Sequence, residues 1–148
     1  MYINLTRQSV PSQEYRELLG TAICVFNSNN AFVIENILHT NQKDYNWYDL
    51  IEKESGQLKK IIQATILTRT SREILDLFSE LVEMRNRIIH SFLITDKDNE
   101  QRLATKTRVK DGNKQFVITE EYITEFIKKN ETLCLKLHDY RISLRKAN

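Results

Sequence analysis

Three glycines and a single proline in 148 residues leave this chain almost without the breaks that tight turns require. An all-β or loop-rich fold needs many such breaks, so long uninterrupted helices become the default. With 41% hydrophobic residues the chain has material for one core and too little for two, and residues 1–148 read as one domain. No stretch approaches the roughly 18 apolar residues of a membrane span, and the first nine residues lack the apolar run of a secretion signal. The expected location is therefore the cytoplasm, with no membrane partner. A net charge of +2 fits a phosphate-bearing partner without selecting one. Cys24 and Cys134 lie far apart within apolar helical patterns and read as two buried thiols.

Helical periodicity recurs four times. Ser12 precedes an acidic first turn, and Tyr15, Leu18, Leu19, Ala22, Phe26, Val33 and Ile37 then form one stripe, which predicts a helix over residues 12–39 despite the polar run Asn27-Ser28-Asn29-Asn30. Asn46 caps a second helix that carries Trp47, Leu50, Ile51, Leu58, Ile61 and Ile62, weakened locally by Gly56. Thr70 and Glu73 form a T-x-x-E capping box ahead of a third stripe that runs from Ile74 to Phe92. Between residues 101 and 119 the period changes to alternation around Asp111-Gly112-Asn113, the pattern of a β-hairpin. A last helix starts at Thr119, with Glu120 and Glu121 in its first turn. The predicted fold is mainly α: a four-helix bundle with a β-hairpin inserted between the third and fourth helices.

Some residues break these patterns. At about 100° per residue, Arg85 projects within ~20° of Ile74 and Phe78, at the middle of the third apolar stripe. A guanidinium there must either meet a carboxylate or open onto a polar cleft or interface. Glu54, on the stripe of the second helix, is the expected structural acid partner; Glu83 and Glu35 are the other candidates. Asn86 and His90 are four residues apart on the flank beside Arg85, so three polar groups converge. In the hairpin, Arg102, Lys106, Arg108 and Lys110 alternate onto the face opposite Leu103 and Val109. Such a ribbon either tracks a phosphate backbone or guards an edge strand against pairing with another chain.

The segment Glu83-Met84-Arg85-Asn86-Arg87-Ile88-Ile89-His90-Ser91-Phe92 resembles the R-N-x-x-x-H signature of the HEPN superfamily, the helical domains named for nucleotide binding in higher eukaryotes and prokaryotes. The resemblance covers about ten residues in motif and roughly residues 12–144 in architecture. It implies a metal-independent endoribonuclease that acts as a homodimer, with Arg85 and His90 catalytic, Asn86 in an orienting role, and a toxin–antitoxin or phage-defence setting. Phe92 stands where some catalytic relatives carry a Tyr. The expected RNA contacts are Arg87 and the ribbon residues Arg102, Lys106, Arg108 and Lys110. No metal or other cofactor is expected. The expected partners are RNA, a second copy of the chain, and an antitoxin or other regulatory protein.

The residue chemistry suits that scheme. Without a metal, the 2′-hydroxyl must lose a proton, charge must be stabilised on the phosphate, and the leaving 5′-oxygen must gain a proton, leaving a 2′,3′-cyclic phosphate. His90 moves protons near neutral pH, and Arg85 offers a permanently charged planar fork to phosphate oxygens. One His per site is sparse for both proton transfers, and a two-fold dimer supplies the second. The alternative is a non-catalytic HEPN-like dimerisation or nucleotide- or protein-binding module, in which the three residues form a structural polar network. A sealed His90 favours the network, and a His90 that opens beside Arg85 onto a cleft favours cleavage.

Overall fold

The computed structural model describes residues 2–148. The chain is mainly helical, with elements α1 (Gln13–Thr40), α2 (Trp47–Ile51), α3 (Ser55–Ala64), α4 (Glu73–Ile89), β1 (Phe92–Thr95), β2 (Gln101–Lys106), β3 (Gln115–Ile118) and α5 (Glu120–Lys146). The three strands form one antiparallel sheet in the order β1-β2-β3. Helices α1 and α5 pack along one another, and α4 lies against α3, α5 and β2. The core between them is built from Phe26, Ile34, Leu58, Ile62, Phe78, Leu81, Phe126 and Leu133, each at most 2% exposed.

The long first and last helices form where their caps allow. The Ser12 hydroxyl accepts the Tyr15 N–H at 3.4 Å, and the Thr119 hydroxyl accepts the Tyr122 N–H at 3.1 Å, each satisfying an otherwise orphaned donor of the first turn. The polar run in α1 does not break it, because Asn29 faces inward. Its amide donates to the backbone and side-chain oxygens of Asn130 in α5 at 2.7 and 3.0 Å, and Asn130 in turn donates to the Phe126 carbonyl at 2.9 Å. Both asparagines are buried, so this pair sets the register of α1 on α5.

The region predicted as one second helix is two. Asn46 caps α2 as expected, accepting the Asp49 N–H at 3.0 Å, but the helix stops at Ile51. Glu54 then adopts an extended conformation (φ −61°, ψ 142°) and becomes the N-cap of α3, its N–H donating to Gln57 Oε1 at 3.1 Å. Glu54 and Gln57 together form a capping box that restarts the helix. The Thr70 capping box does not form: α4 begins at Glu73 with Arg72 as N-cap, and the Glu73 carboxylate is instead held by Lys136 of α5 at 2.8 Å.

The end of the third stripe is also corrected. Helix α4 closes at His90, and Phe92 opens β1 and is 46% exposed instead of extending the apolar stripe. Ser91 donates to the Ile88 carbonyl at 2.6 Å, satisfying one helix-end acceptor, and the run Phe92-Leu93-Ile94-Thr95, β-branched or aromatic except at Leu93, then pairs with β2. The return turn is closed by Asp96, whose Oδ1 accepts the N–H groups of Asp98 and Glu100 at 2.8 and 2.9 Å. The expected hairpin is present as β2 and β3, joined by residues 107–114, with Gly112 (φ 94°) and Asn113 (φ 53°) in the left-handed region. Strand β2 becomes the middle of the sheet, and both Ala104 and Thr105 are buried. Tyr15 clips this sheet to α1: its hydroxyl donates to the Ile118 carbonyl at 2.5 Å and accepts the Leu103 N–H at 3.1 Å.

Among the described residues, no helix is long and apolar enough to cross a membrane. The two cysteines are free, and neither is buried as expected: Cys24 is exposed on the outer face of α1, and Cys134 is half-buried.

Candidate functional site

Helix α4 and the start of α3 enclose an open cleft of about 440 Å³. The motif helix contributes Arg85, Asn86, Ile89 and His90 to its wall, so the three polar residues that sequence spacing brings together do share one space. The opposite wall is the break between α2 and α3, which contributes Lys53, Glu54, Ser55 and Gly56. The Ser55 hydroxyl donates to Asn30 Oδ1 at 2.8 Å, which fastens this wall to α1.

Arg85 is half-buried, and its Nε is sealed from solvent with no hydrogen-bond partner. No carboxylate lies within ion-pair distance among the described residues. Support comes from below, where the guanidinium carbon sits 5.1 Å from the centroid of the Phe26 ring. That ring is itself held between Phe78 and Phe126, at 6.4 and 6.0 Å between centroids. Stacking on an aromatic face is the contact a desolvated guanidinium makes most readily when it lacks an acid. Burial pushes the Arg85 pKa below its ordinary value, and the nearby charge of Glu54 acts in the opposite direction.

Glu54 is therefore not the buried partner that the helix pattern suggests. The pattern assumed one continuous helix, whereas the break at residues 52–54 carries Glu54 to an exposed N-cap position at the cleft mouth. The other two candidates are engaged elsewhere. Glu35 pairs with Arg141 at 3.5 Å, and Glu83 accepts Arg108 at 2.5 Å and faces Arg87 at 3.5 Å.

His90 is exposed and stands as the C-cap of α4, with φ −93° and ψ 44°. Its backbone is tied down: the N–H donates to the Asn86 carbonyl at 2.9 Å, and its carbonyl accepts the Thr105 hydroxyl at 3.4 Å. The backbone from which the ring projects is thus held by the helix end and by β2.

The ribbon cations do not share one face. Arg102 folds back over the Tyr15 ring, 4.8 Å from its centroid, and pairs with Glu120 at 3.4 Å, so it belongs to the joint between sheet and helices. Lys106 donates to Asn113 Oδ1 at 2.6 Å. Strand β2 ends there, and Arg108 and Lys110 lie in the connecting loop, because the Arg108 carbonyl accepts the Asp111 and Asn113 N–H groups and turns the chain. The loop is held against α4 through Arg108 and Glu83, while Arg87 donates to the Lys106 carbonyl at 2.6 Å. Of the five expected RNA contacts, Arg87, Arg102 and Arg108 are engaged by carboxylates of the chain itself, and Lys110 is exposed in the loop.

Sequence reasoning passed over Lys53, Ser55 and Tyr122. The first two come into the site through the helix break, whose signal was the Gln57 half of the capping box. Tyr122, in the first turn of α5, lies near Arg87 and Glu83, and burial pushes its pKa up to about 12. No group of three or more His, Cys, Asp or Glu side chains among the described residues is placed to hold a metal ion. Comparison of the chain with protein-family models, with curated proteins and with solved structures yields no match.

Proposed function

We propose that this chain is a HEPN-type endoribonuclease that cleaves single-stranded RNA without a metal and works as a homodimer. The observation that carries this reading is the pairing of an exposed His90 with an acid-free Arg85 on the wall of one open cleft. A structural network calls for mutually satisfied groups, whereas His90 is exposed and the sealed Arg85 Nε has no partner. In the proposed reaction Arg85 stabilises the charge that grows on the phosphate, His90 transfers protons, and Asn86 orients the phosphodiester. The second proton-transfer group comes from His90 of a second copy. In the bundle that this reading requires, α1, α4 and α5 are three of the helices, α2 and α3 together occupy the place of the fourth, and the sheet is the insertion.

Purified protein is expected to cut single-stranded RNA in excess EDTA, to leave 2′,3′-cyclic phosphate ends, and to spare DNA, which lacks the attacking hydroxyl. His90→Ala should reduce the rate at least ~100-fold with no change in the melting midpoint, because the ring is exposed. Equal activity in wild type and His90→Ala rejects the assignment. A second reading, a binding or dimerisation module, is favoured by the exposed apolar residues Ile89, Phe92 and Leu93 next to the motif. A folded protein with no His90-dependent cleavage but a stable dimer would choose it. The toxin–antitoxin or phage-defence setting belongs to this proposal and is tested by growth arrest on expression of wild type but not of His90→Ala.

A further inference from the structure

The cleft holds an imbalance that catalysis alone does not explain. Lys53 and Arg85 face it as fixed cations, and Glu54 is the one carboxylate among its lining residues. Glu54 forms no ion pair with either, is exposed, and is held at the mouth by the N-cap geometry of α3 instead of by a salt bridge. A carboxylate that compensated Arg85 structurally would lie against the guanidinium, where the Phe26 ring and an unpartnered Nε are found instead. An acid that bound substrate directly would repel the phosphate that Arg85 attracts.

We propose that Glu54 is an electrostatic gate: without contacting either cation, its charge at the cleft mouth offsets part of their attraction for anions, so that weakly bound anions are excluded. This rests on the proposed function only for the ligand, a phosphodiester of a single-stranded polynucleotide; the charge arrangement stands without any cleavage. At the separations within such a cleft, one opposing unit charge near the solvent boundary changes anion affinity by about 3- to 10-fold at low salt, and screening removes most of that at high salt. The gate therefore sets a threshold: a polymer that engages several cations passes it, and a lone anion does not.

The test is binding without chemistry. A fluorescent single-stranded DNA oligonucleotide and inorganic phosphate are titrated against wild type, Glu54→Gln, Glu54→Asp and Glu52→Gln at low and high salt. Glu52 lies in the same interhelix break but does not line this cleft, so it controls for net charge. The gate predicts that Glu54→Gln binds the oligonucleotide about fivefold tighter at low salt, that Glu54→Asp matches wild type, that Glu52→Gln changes affinity less than twofold, and that the gain disappears in an Arg85→Met background. Equal gains from Glu54→Gln and Glu52→Gln would overturn the gate and leave a net-charge effect. A loss of affinity in Glu54→Gln would make Glu54 a positioning residue for Arg85, and a gain confined to inorganic phosphate would overturn the phosphodiester assignment. A gain for the oligonucleotide together with His90-independent RNA cleavage would keep the gate while rejecting the proposed reaction.

Discussion

Replacing Arg85 by Met separates two accounts of the charge in the core stripe. Met keeps most of the apolar stem against Phe26 and removes the guanidinium. The stacking lost is worth about 0.5–2 kcal/mol. Removing a sealed Nε that has no partner returns about 1–3 kcal/mol of desolvation cost. The two nearly cancel, so stability should stay within about 1 kcal/mol of wild type, a shift of less than ~4 °C in Tm for a chain of this size. Had Arg85 been half of a buried ion pair, the same replacement would strand an acid and cost about 3–5 kcal/mol, or roughly 6–20 °C. Thermal unfolding followed by circular dichroism distinguishes these outcomes, and RNA cleavage measured on the same preparation should fall at least ~100-fold while the fold persists. A midpoint lowered by more than ~6 °C would refute the conclusion that Arg85 has no structural acid partner.

Gly20, exposed in the middle of α1 with nothing within 4 Å of an added Cβ, should gain about 0.5–1 kcal/mol as Gly20→Ala, read as a raised urea midpoint; a lower midpoint would contradict the open space there. Asn29→Ala should cost about 1–3 kcal/mol, because it leaves the buried side-chain oxygen of Asn130 without a donor, and a neutral result would remove that pair from the account of helix register. Tyr122 has a folded pKa raised to about 12 from an ordinary 10.0, so its contribution is fully present below pH 10 and is lost as pH rises toward 12; Tyr122→Phe should flatten that alkaline decline, and an unaltered pH profile of stability would count against the assignment. Glu83→Gln should change stability by less than ~1 kcal/mol, because its pairs are partly exposed, yet hydrogen exchange in residues 107–114 should accelerate as Arg108 is released; unchanged exchange would show that the loop is held by something else.

The helices were legible where local chemistry decided them. Ser12, Asn46 and Thr119 cap the elements they were expected to cap, because an N-cap bond spans three residues and needs nothing from the rest of the fold. Predictions failed where a distant residue competed. Thr70 and Glu73 form a valid local capping box on paper, but Lys136 of α5, 63 positions away, takes the Glu73 carboxylate. Phe92 continues the helical stripe numerically, and only pairing with β2 draws residues 92–95 into a sheet. The basic ribbon is shorter than its alternation suggests for a related reason: alternation shows which side chains share a strand face but not where the strand stops, and carboxylates from α4 and α5 pair with Arg108 and Arg102.

The site itself was half legible, and the missing half is what makes it a site. Periodicity identified Arg85, Asn86 and His90 as neighbours, since spacing within one helix determines which side chains adjoin. What faces them is a matter of tertiary packing. A continuous helix over residues 47–64 would have presented Glu54 from an apolar stripe, in position to meet Arg85 and close the contact. The extended backbone of Glu54 and the Gln57 bond to its N–H interrupt that helix instead, opening a cleft and leaving Arg85 with an aromatic platform and no acid. The Arg85 Nε, sealed and without a partner, is a cost to the fold that the helix break leaves uncompensated. The short break before α3, more than any single residue of the motif, therefore turns a helix–helix contact into an open cleft beside Arg85, Asn86 and His90.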